Sequence, residues 1–201
     1  SIRETVEVDV LKKPLKAQEI DAEMEKFLDG KTNLEYKNSN KEKLNNFIEA
    51  LNIKEEKTIR ANAEKKYQAF KTKIEKEADK QGLVLAEKLL FVAQKLKEYS
   101  DITNFKVSEA KRRNENKKQV ISSMFSSFNV GRTYLVPITT DVSINTIYSQ
   151  GIFLGYKMKE RLNPSNITAV FATLDSRRKV EIPFSKIQYL NTIVAETSRS
   201  D

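Results

Sequence analysis

The chain has 201 residues, with 36 basic and 28 acidic side chains, a net charge of +8 and a mean hydropathy of -0.57. No apolar run approaches the roughly 18 residues that span a bilayer, so the composition predicts a protein without a membrane segment. It contains neither cysteine nor histidine, which excludes disulfides and removes the usual residues of zinc sites and of triad-type hydrolysis. The absence of cysteine fits a reducing compartment, and we expect a cytoplasmic protein without a cofactor.

The N-terminal segment predicts a single β-strand. Val6, Val8 and Val10 alternate with acidic residues, the period-2 pattern of a strand with one buried face, and Pro14 ends the pattern. Because one strand is not stable alone, we expect it to pair with the C-terminal strands or with a domain outside this chain. A start within a strand also suggests a piece of a larger protein.

Helical periodicity follows, and it predicts a bundle of about five helices. Residues 14–30 carry apolar side chains at helical spacing and end at Gly30, where a C-cap is expected. Residues 31–40 are polar and predict a loop. Ser39 and Glu42 have the spacing of a capping box, which predicts the start of the second helix.

A third, thinly apolar helix is predicted as far as Gly82. The fourth, over residues 83–99, is the most apolar, and its leucines are expected to form the centre of the bundle. After a loop at residues 100–105, the last helix covers residues 106–128, with an exposed basic first half and an apolar second half.

From Gly131 onward the chain is rich in Val, Ile, Thr, Tyr and Phe, and polar turns divide it into four predicted strands. A helical turn then leads to a fifth strand at residues 192–194. Five short strands in about seventy residues predict an SH3-like small β-barrel, whose closure removes exposed strand edges. We therefore predict an α+β fold with a strand and helical bundle in residues 1–128 and a barrel in residues 129–201.

Two glycines and several aromatic residues in these strands have structural explanations. Gly151 and Gly155 lack the lysine of a phosphate-binding loop and are expected to mark bulges or corners of a curved sheet. Aromatic residues at alternating strand positions are expected in the barrel core rather than as stacking faces for bases: Tyr134, Phe153, Tyr156 and Phe171.

The first candidate contact for a nucleic-acid backbone is the helical segment 110–119. We expect Lys111 to pair with Glu115, and Arg113 and Lys117 to share a face that could follow phosphates. The alternative is an ordinary solvated helix face. The candidate phosphate contacts are Lys111, Arg112, Arg113, Lys117 and Lys118.

The second candidate is a hairpin tip between the third and fourth C-terminal strands. Arg177, Arg178 and Lys179 would present their cationic groups together there, and arginine can hold phosphate bidentately. The alternative is a charged loop tip without a ligand, because no aromatic stacking platform accompanies the cations.

The carboxylates of Asp and Glu are the remaining candidates for catalysis, but their positions in the sequence do not indicate a catalytic site. Asp21, Glu23, Glu25, Glu55 and Glu56 lie among lysines on helix faces that should be exposed. We predict no catalytic site, no metal site and no enzymatic activity.

Two stretches, residues 6–24 and residues 151–187, resemble the region that follows the motor in large phage- and plasmid-borne helicases of the strawberry notch type, which belong to superfamily 2. The resemblance implies an ATPase upstream of this chain and a role in DNA handling or in contacts between domains. It assigns no functional residue.

Together these observations predict a non-catalytic accessory module of a larger DNA-processing protein. Its partner would be nucleic acid, bound without sequence preference, or an upstream motor domain of the same polypeptide. The alternative is a structural or protein-interaction module of a phage or mobile-element assembly, which would bury apolar faces against a neighbouring chain.

Overall fold

The structure is a computed structural model. It confirms an α+β fold, with a long helical region followed by an antiparallel sheet. The residues that it describes are 3–5, 7–8, 14–141, 144–158, 166–186 and 196–197.

The chain divides into two compact units. We call Ser1–Leu44 together with Val120–Asp201 the sheet unit, and Asn45–Gln119 the helical unit. The predicted domains, residues 1–128 and 129–201, follow a different boundary and stay a prediction.

Three helices make up the helical region, fewer than the five predicted. They are α1 (Ala17–Leu28), α2 (Asn33–Lys80) and α3 (Leu85–Ser127). The loop predicted at residues 31–40 is largely the first two turns of α2, and the loop predicted at residues 100–105 lies inside α3, so both predictions are wrong. No described helix combines the length and the apolar character needed to cross a bilayer.

The start of α2 is fixed by a capping box that differs from the predicted one. The Thr32 N–H donates to Glu35 Oε1 at 3.1 Å, and the Glu35 N–H donates to Thr32 Oγ1 at 3.2 Å. These bonds satisfy two backbone donors that an unfinished first turn leaves without partners. The hydrogen bond from the Thr32 N–H is the main cause that lowers the pKa of the Glu35 carboxyl. Ser39 and Glu42, the predicted cap, lie within the helix.

Within the helical unit, α2 and α3 form an antiparallel hairpin. Arg60 Nη1 donates to Asn104 Oδ1 at 3.1 Å, and the Tyr99 hydroxyl donates to the Ala63 carbonyl at 2.6 Å. The Tyr99 ring also stacks on Phe70, with 4.7 Å between centroids. Residues later in α2 contact residues earlier in α3, which is the order of contacts in an antiparallel pair.

The leucines at the start of α3 are not the centre of a bundle, contrary to the prediction. Leu85, Leu89 and Leu90 are 74%, 63% and 73% exposed. Because each helix of a two-helix hairpin packs on one neighbour only, most of its circumference stays in water.

Among the described residues, seven strands form one antiparallel sheet. They are β1 (Arg3–Thr5), β2 (Glu7–Val8), β3 (Thr133–Asp141), β4 (Ile144–Met158), β5 (Ile167–Thr173), β6 (Lys179–Pro183) and β7 (Glu196–Thr197). The order is β1-β3-β4-β5-β6-β2, with β7 also paired to β3. The N-terminal segment therefore pairs with the C-terminal strands, one of the two partners predicted for it.

The predicted SH3-like barrel is not confirmed. The four strands β3 to β6 follow one another in order, and among the described residues β3 and β6 do not pair, so the sheet is not closed. Instead, β1 pairs with β3 and β2 pairs with β6. The strand predicted at residues 192–194 lies outside the described residues. Residues 184–186 are helical, so the helical turn predicted from Ser185 begins one residue earlier, at Phe184, which was predicted as the end of a strand.

Helix α1 covers one face of the two central strands. Ile20 of α1 lies in a buried cluster with Ile152 and Leu154 of β4 and with Val170 and Ala172 of β5. This apolar contact holds α1 against the sheet.

The opposite face of the same strands carries an aromatic core. Phe153 and Phe171 alternate with the residues that face α1, so they point away from it. Phe128, just after α3, lies 5.4 Å from both rings. The four aromatic residues predicted as core are indeed buried, at 3% exposure or less: Tyr134, Phe153, Tyr156 and Phe171.

Two tyrosines attach the ends of the long helices to β4. The Tyr156 N–H donates to the Tyr36 hydroxyl at 2.8 Å, and the Tyr156 hydroxyl donates to the carbonyl of Met124 on α3. Burial raises the pKa of Tyr36 and raises that of Tyr156 well above its usual value. Both phenols thus stay neutral and can donate hydrogen bonds at physiological pH.

Asn33, the first residue of α2, bonds to the segment that follows α3. Its Nδ2 donates to the Val130 carbonyl at 3.1 Å, and its Oδ1 accepts from the Val130 N–H at 2.7 Å. The paired bonds fix the beginning of one long helix beside the end of the other.

Gly155 marks a β-bulge in β4, as predicted. The pairing register with β5 shifts between Phe153 and Gly155, and the φ angle of Gly155 is 152°. A Cβ there would lie 2.4 to 2.8 Å from Cγ, Cβ and Cδ1 of Phe27 on α1. Gly151 keeps regular register with both neighbouring strands, so it marks no bulge.

We expect Gly155→Ala to lower the free energy of unfolding by about 2–4 kcal/mol, from backbone strain and from the clash with Phe27. Urea unfolding measures this loss. Gly30→Ala is the matched control, since Gly30 also has a positive φ, of 76°, but an added Cβ there meets nothing within 4 Å. Equal losses in the two variants would contradict a role for the Phe27 contact.

Candidate nucleic-acid interface

The first predicted basic segment lies on α3 in the helical unit, and one of its faces is buried. Val107, Ala110 and Asn114 recur at helical spacing and are 5% exposed or less. Asn114 Nδ2 donates to Asn52 Oδ1 at 2.8 Å and to Glu55 Oε2 at 3.0 Å. The segment is therefore held against α2, and only its outer faces can meet a ligand.

Three of the five predicted cations in this segment already have acidic partners. Arg112 Nη2 lies 2.9 Å from Glu109 Oε2, and Lys118 Nζ lies 3.9 Å from Glu115 Oε2. The hydrogen bond between Arg112 and Glu109 raises the pKa of the guanidinium and lowers that of the carboxyl.

The third paired cation corrects a prediction. Lys111 was expected to pair with Glu115 on its own helix, but its Nζ lies 3.6 Å from Glu56 Oε2 on α2. This partner depends on where α2 packs against α3. The helical spacing within α3 does not predict that packing.

Arg113 and Lys117 are the uncommitted members of the segment. Both are exposed, and neither has an ion pair with a described residue. They lie four residues apart on one face of α3, as predicted. Lys106, seven residues before Arg113, shares that face and is also exposed.

The second predicted element is a tight turn between β5 and β6 in the sheet unit. Asp175 Oδ1 accepts from the Ser176 N–H at 2.7 Å and from Ser149 Oγ at 3.2 Å. Thr173 and Arg178 close the loop, since the Thr173 N–H donates to the Arg178 carbonyl at 2.9 Å. These bonds order the turn without any ligand.

The three cations of this turn have different environments and are not presented together at the tip, contrary to the prediction. Arg177 is exposed, with a φ of 52°. Arg178 is half-buried, and its Nε has no hydrogen-bond partner. Lys179 Nζ lies 2.9 Å from Glu23 Oε1 on α1. Only Arg177 is both exposed and uncommitted, and the role of all three in binding stays a prediction.

A further set of free cations, on α2, was not predicted from the sequence. We call Lys66, Lys73, Lys76 and Lys80 on α2 the lysine row. All four are exposed, and none forms an ion pair with a described residue. Three of them line an open groove along α2 together with Ala69, Thr72 and a single acidic residue, Glu77.

The positive charge of the chain is concentrated in the helical unit. Its 75 residues include 18 basic and 12 acidic side chains, a net charge of +6 out of the total +8. Only six of the 18 basic side chains form ion pairs within that unit. The remaining cations are available to an anionic partner.

The carboxylates considered for catalysis have structural partners where the structure shows contacts. Glu23 pairs with Lys179, Glu55 accepts from Asn114, and Glu56 lies 3.2 Å from Arg60. Within the described ranges, no three acidic side chains lie close enough to hold a metal ion.

Comparisons with known proteins found no matching family model, no matching curated protein and no matching solved structure.

We expect Asp175→Asn to lower the melting temperature at pH 7. Hydrogen bonds from Ser176 and Ser149 hold the pKa of Asp175 below the usual 3.8. The ionised form therefore adds stability at pH values above 3.8, and this stability is lost as the pH falls through the lower, folded-state pKa. Melting temperatures of both proteins between pH 7 and pH 2 test this, and they should converge at the acid end.

Ser149→Ala removes one of the two donors and should produce part of the same effect. A difference between wild type and Asp175→Asn that stays constant down to pH 2 would contradict a stabilising role for the Asp175 charge.

Proposed function

We propose that this chain is a non-catalytic accessory module of a larger DNA-processing protein and that it binds the nucleic-acid backbone mainly through the helical unit. The observation that carries the proposal is the lysine row, an exposed set of four cations without acidic partners. A phosphate backbone is the partner that such a surface fits best, because it offers regularly spaced negative charge.

The spacing of the row supports contact along a polymer. Lys66, Lys73 and Lys80 are seven residues apart, which places their Cα atoms at intervals of about 10 Å along one side of α2. Lys106, Arg113 and Lys117 supply a second set of free cations, on α3 of the same unit. A partner with charge along its whole length can engage many of these groups at once.

The chemistry of the row favours binding without sequence preference. Lysine acts as a flexible point charge and lacks the rigid fork with which arginine reads guanine or grips phosphate bidentately. The described groove also has no aromatic side chain on which a base could stack. Contacts would therefore go to phosphates rather than to bases.

The wider setting of the proposal comes from the resemblance to helicases of the strawberry notch type. It implies an accessory module of a phage or mobile-element protein whose motor is a separate domain. The absence of cysteine fits a cytoplasmic location for that protein.

The test is to replace all four lysines of the row by glutamine and to measure fluorescence anisotropy with labelled single- and double-stranded DNA over a range of salt concentrations. Glutamine keeps helix propensity and removes the charge. We expect wild-type binding to weaken steeply with salt. In the variant, the slope of log K against log salt should become shallower by about 0.9 for each duplex phosphate that the protein no longer neutralises.

A control variant with the same change in net charge separates a site from general basicity. Lys16, Lys31, Lys37 and Lys41 of the sheet unit form no ion pair with a described residue, and they can be replaced by glutamine in the same way. Equal losses of DNA affinity in the two variants would show that DNA is attracted by the net charge of the whole molecule, and would contradict binding through the lysine row. The proposal would also be contradicted if the wild-type protein did not bind DNA at low salt.

The second candidate function is a protein-interaction module, favoured by the exposed apolar residues where α3 begins. Val84, Leu85, Leu89 and Leu90 are each more than 60% exposed. Contiguous apolar surface of this kind commonly marks a contact with another protein.

If this surface mediates self-association, sedimentation velocity should show a concentration-dependent dimer that persists at high salt, because apolar contacts are not screened. Leu85→Gln with Leu89→Gln should then yield a monomer without loss of melting temperature, since both side chains are already exposed. Wild-type protein that stays monomeric at high concentration would contradict self-association through this surface.

A further inference from the structure

A groove of about 250 Å³ lies between α2 and α3 at one end of the lysine row. We call it the isoleucine groove, after Ile59 and Ile102 in its lining. Lys66, the first member of the row, also lines it. Ile59 lies seven residues before Lys66, so it continues the same side of α2 into the groove. A strand whose phosphates follow the row from Lys80 to Lys66 therefore arrives at the isoleucine groove.

The isoleucine groove combines apolar surface with positive charge. Ile59, Ile102 and the Tyr99 ring supply the apolar surface, and Lys66 and Lys106 supply the charge. None of the described residues that line the groove is acidic. Both lysines are exposed, and neither has an ion pair with a described residue. This lining fits a ligand that has both flat apolar faces and anionic groups.

Beside the groove, α3 presents an aromatic ring to water. Phe105 is 65% exposed and follows Ile102, which is 56% exposed, by three residues, so the two side chains are neighbours on the helix surface. The Phe105 ring has no aromatic partner among the described residues. A single exposed apolar residue is common, but an exposed ring next to an apolar and cationic groove is the combination with which proteins hold unpaired bases.

The difference between single and double strands follows from where the bases lie. In a duplex the faces of the bases are buried in the base stack, so a protein on its outside meets mainly phosphates. An unpaired base can leave the stack and place its face on an aromatic side chain. A ring and an apolar groove at the end of the lysine row therefore add affinity only for a strand with unpaired bases.

We propose that the isoleucine groove and Phe105 form a binding site for an unpaired nucleotide base, which favours single-stranded over double-stranded nucleic acid at physiological salt. This inference rests on the proposed function, because the lysine row would hold the phosphates of the same strand. The base would stack on Phe105 and cover Ile102, and Lys66 and Lys106 would contact the flanking phosphates. Every base has an apolar face, so the site selects unpaired structure rather than sequence.

The test compares three ligands of equal length by fluorescence anisotropy with the full chain: a thymidine strand, an abasic strand and a duplex. The abasic strand keeps the phosphates and lacks the bases, so it isolates the contribution of base contacts. We expect the thymidine strand to bind about five-fold more tightly than the abasic strand, and more tightly than the duplex at physiological salt. Equal affinity for the thymidine and abasic strands, or tighter binding of the duplex, would overturn the proposal.

Phe105→Ala removes the stacking ring and should reduce the affinity for the thymidine strand to that for the abasic strand, with unchanged duplex affinity. Ile53→Ala is the matched control, since Ile53 is 69% exposed in the same unit and lines neither the isoleucine groove nor the groove along the lysine row. Both variants should keep the wild-type melting temperature, because both side chains are exposed. A Phe105→Ala protein that still prefers the thymidine strand would overturn the site.

Methyl NMR on protein with 13C-labelled isoleucine locates the bound base. The ring current of an adenine base in the groove should shift the methyl signals of Ile59 and Ile102, whereas the Ile53 signal should stay unchanged. An abasic strand should leave all three signals nearly unchanged. Equal shifts with the adenine-containing and abasic strands, or no shift at Ile102, would contradict a base in the groove.

The base site and the proposed function can fail separately. If the protein binds neither strand and no duplex at low salt, both are wrong. If it binds the abasic strand and the duplex as tightly as the thymidine strand, the lysine row stands and the base site is wrong. Loss of self-association in Phe105→Ala, with unchanged DNA binding, would assign the ring to a protein contact and would also overturn the base site.

Discussion

The burial of β4 and β5 on both faces is the constraint on which the rest of the sheet unit depends. On one face, the bulge at Gly155 allows this burial, because a residue without a side chain lets Phe27 of α1 approach the strand closely. The next residue, Tyr156, serves the other face, where its N–H and hydroxyl bond to Tyr36 and Met124. Gly155 and Tyr156 thus connect β4 to α1, to the first turns of α2 and to the last turn of α3.

This two-faced packing is also where the observed sheet departs from the predicted barrel, although four of the predicted strands are present as β3 to β6. A barrel strand alternates between a buried and a solvent-facing side, and β6 does alternate. In β5, however, burial is nearly continuous. The continuous apolar runs in residues 151–156 and 167–173 were readable in the sequence as strands covered on both sides. The partners that cover them, Phe128 and α1, are distant in sequence, so periodicity could not identify them.

The helices show the same limit of local signals. Thr32 with Glu35 and Ser39 with Glu42 both have capping-box spacing, and no local rule chooses between them. Tertiary contacts decide, because Asn33 and Tyr36 must be helical to reach Val130 and Tyr156. The ends at Gly30 and Gly82 were predictable, since a residue with positive φ is itself a local requirement.

For the candidate sites, the sequence shows where cations are but not which of them are free. Residues 111–118 have the densest positive charge, yet contacts within α3 and with α2 neutralise three of its five cations. The lysine row is sparser in sequence, but no acid of the facing helix pairs with it. Which cations stay unpaired therefore depends on packing that only the folded protein contains.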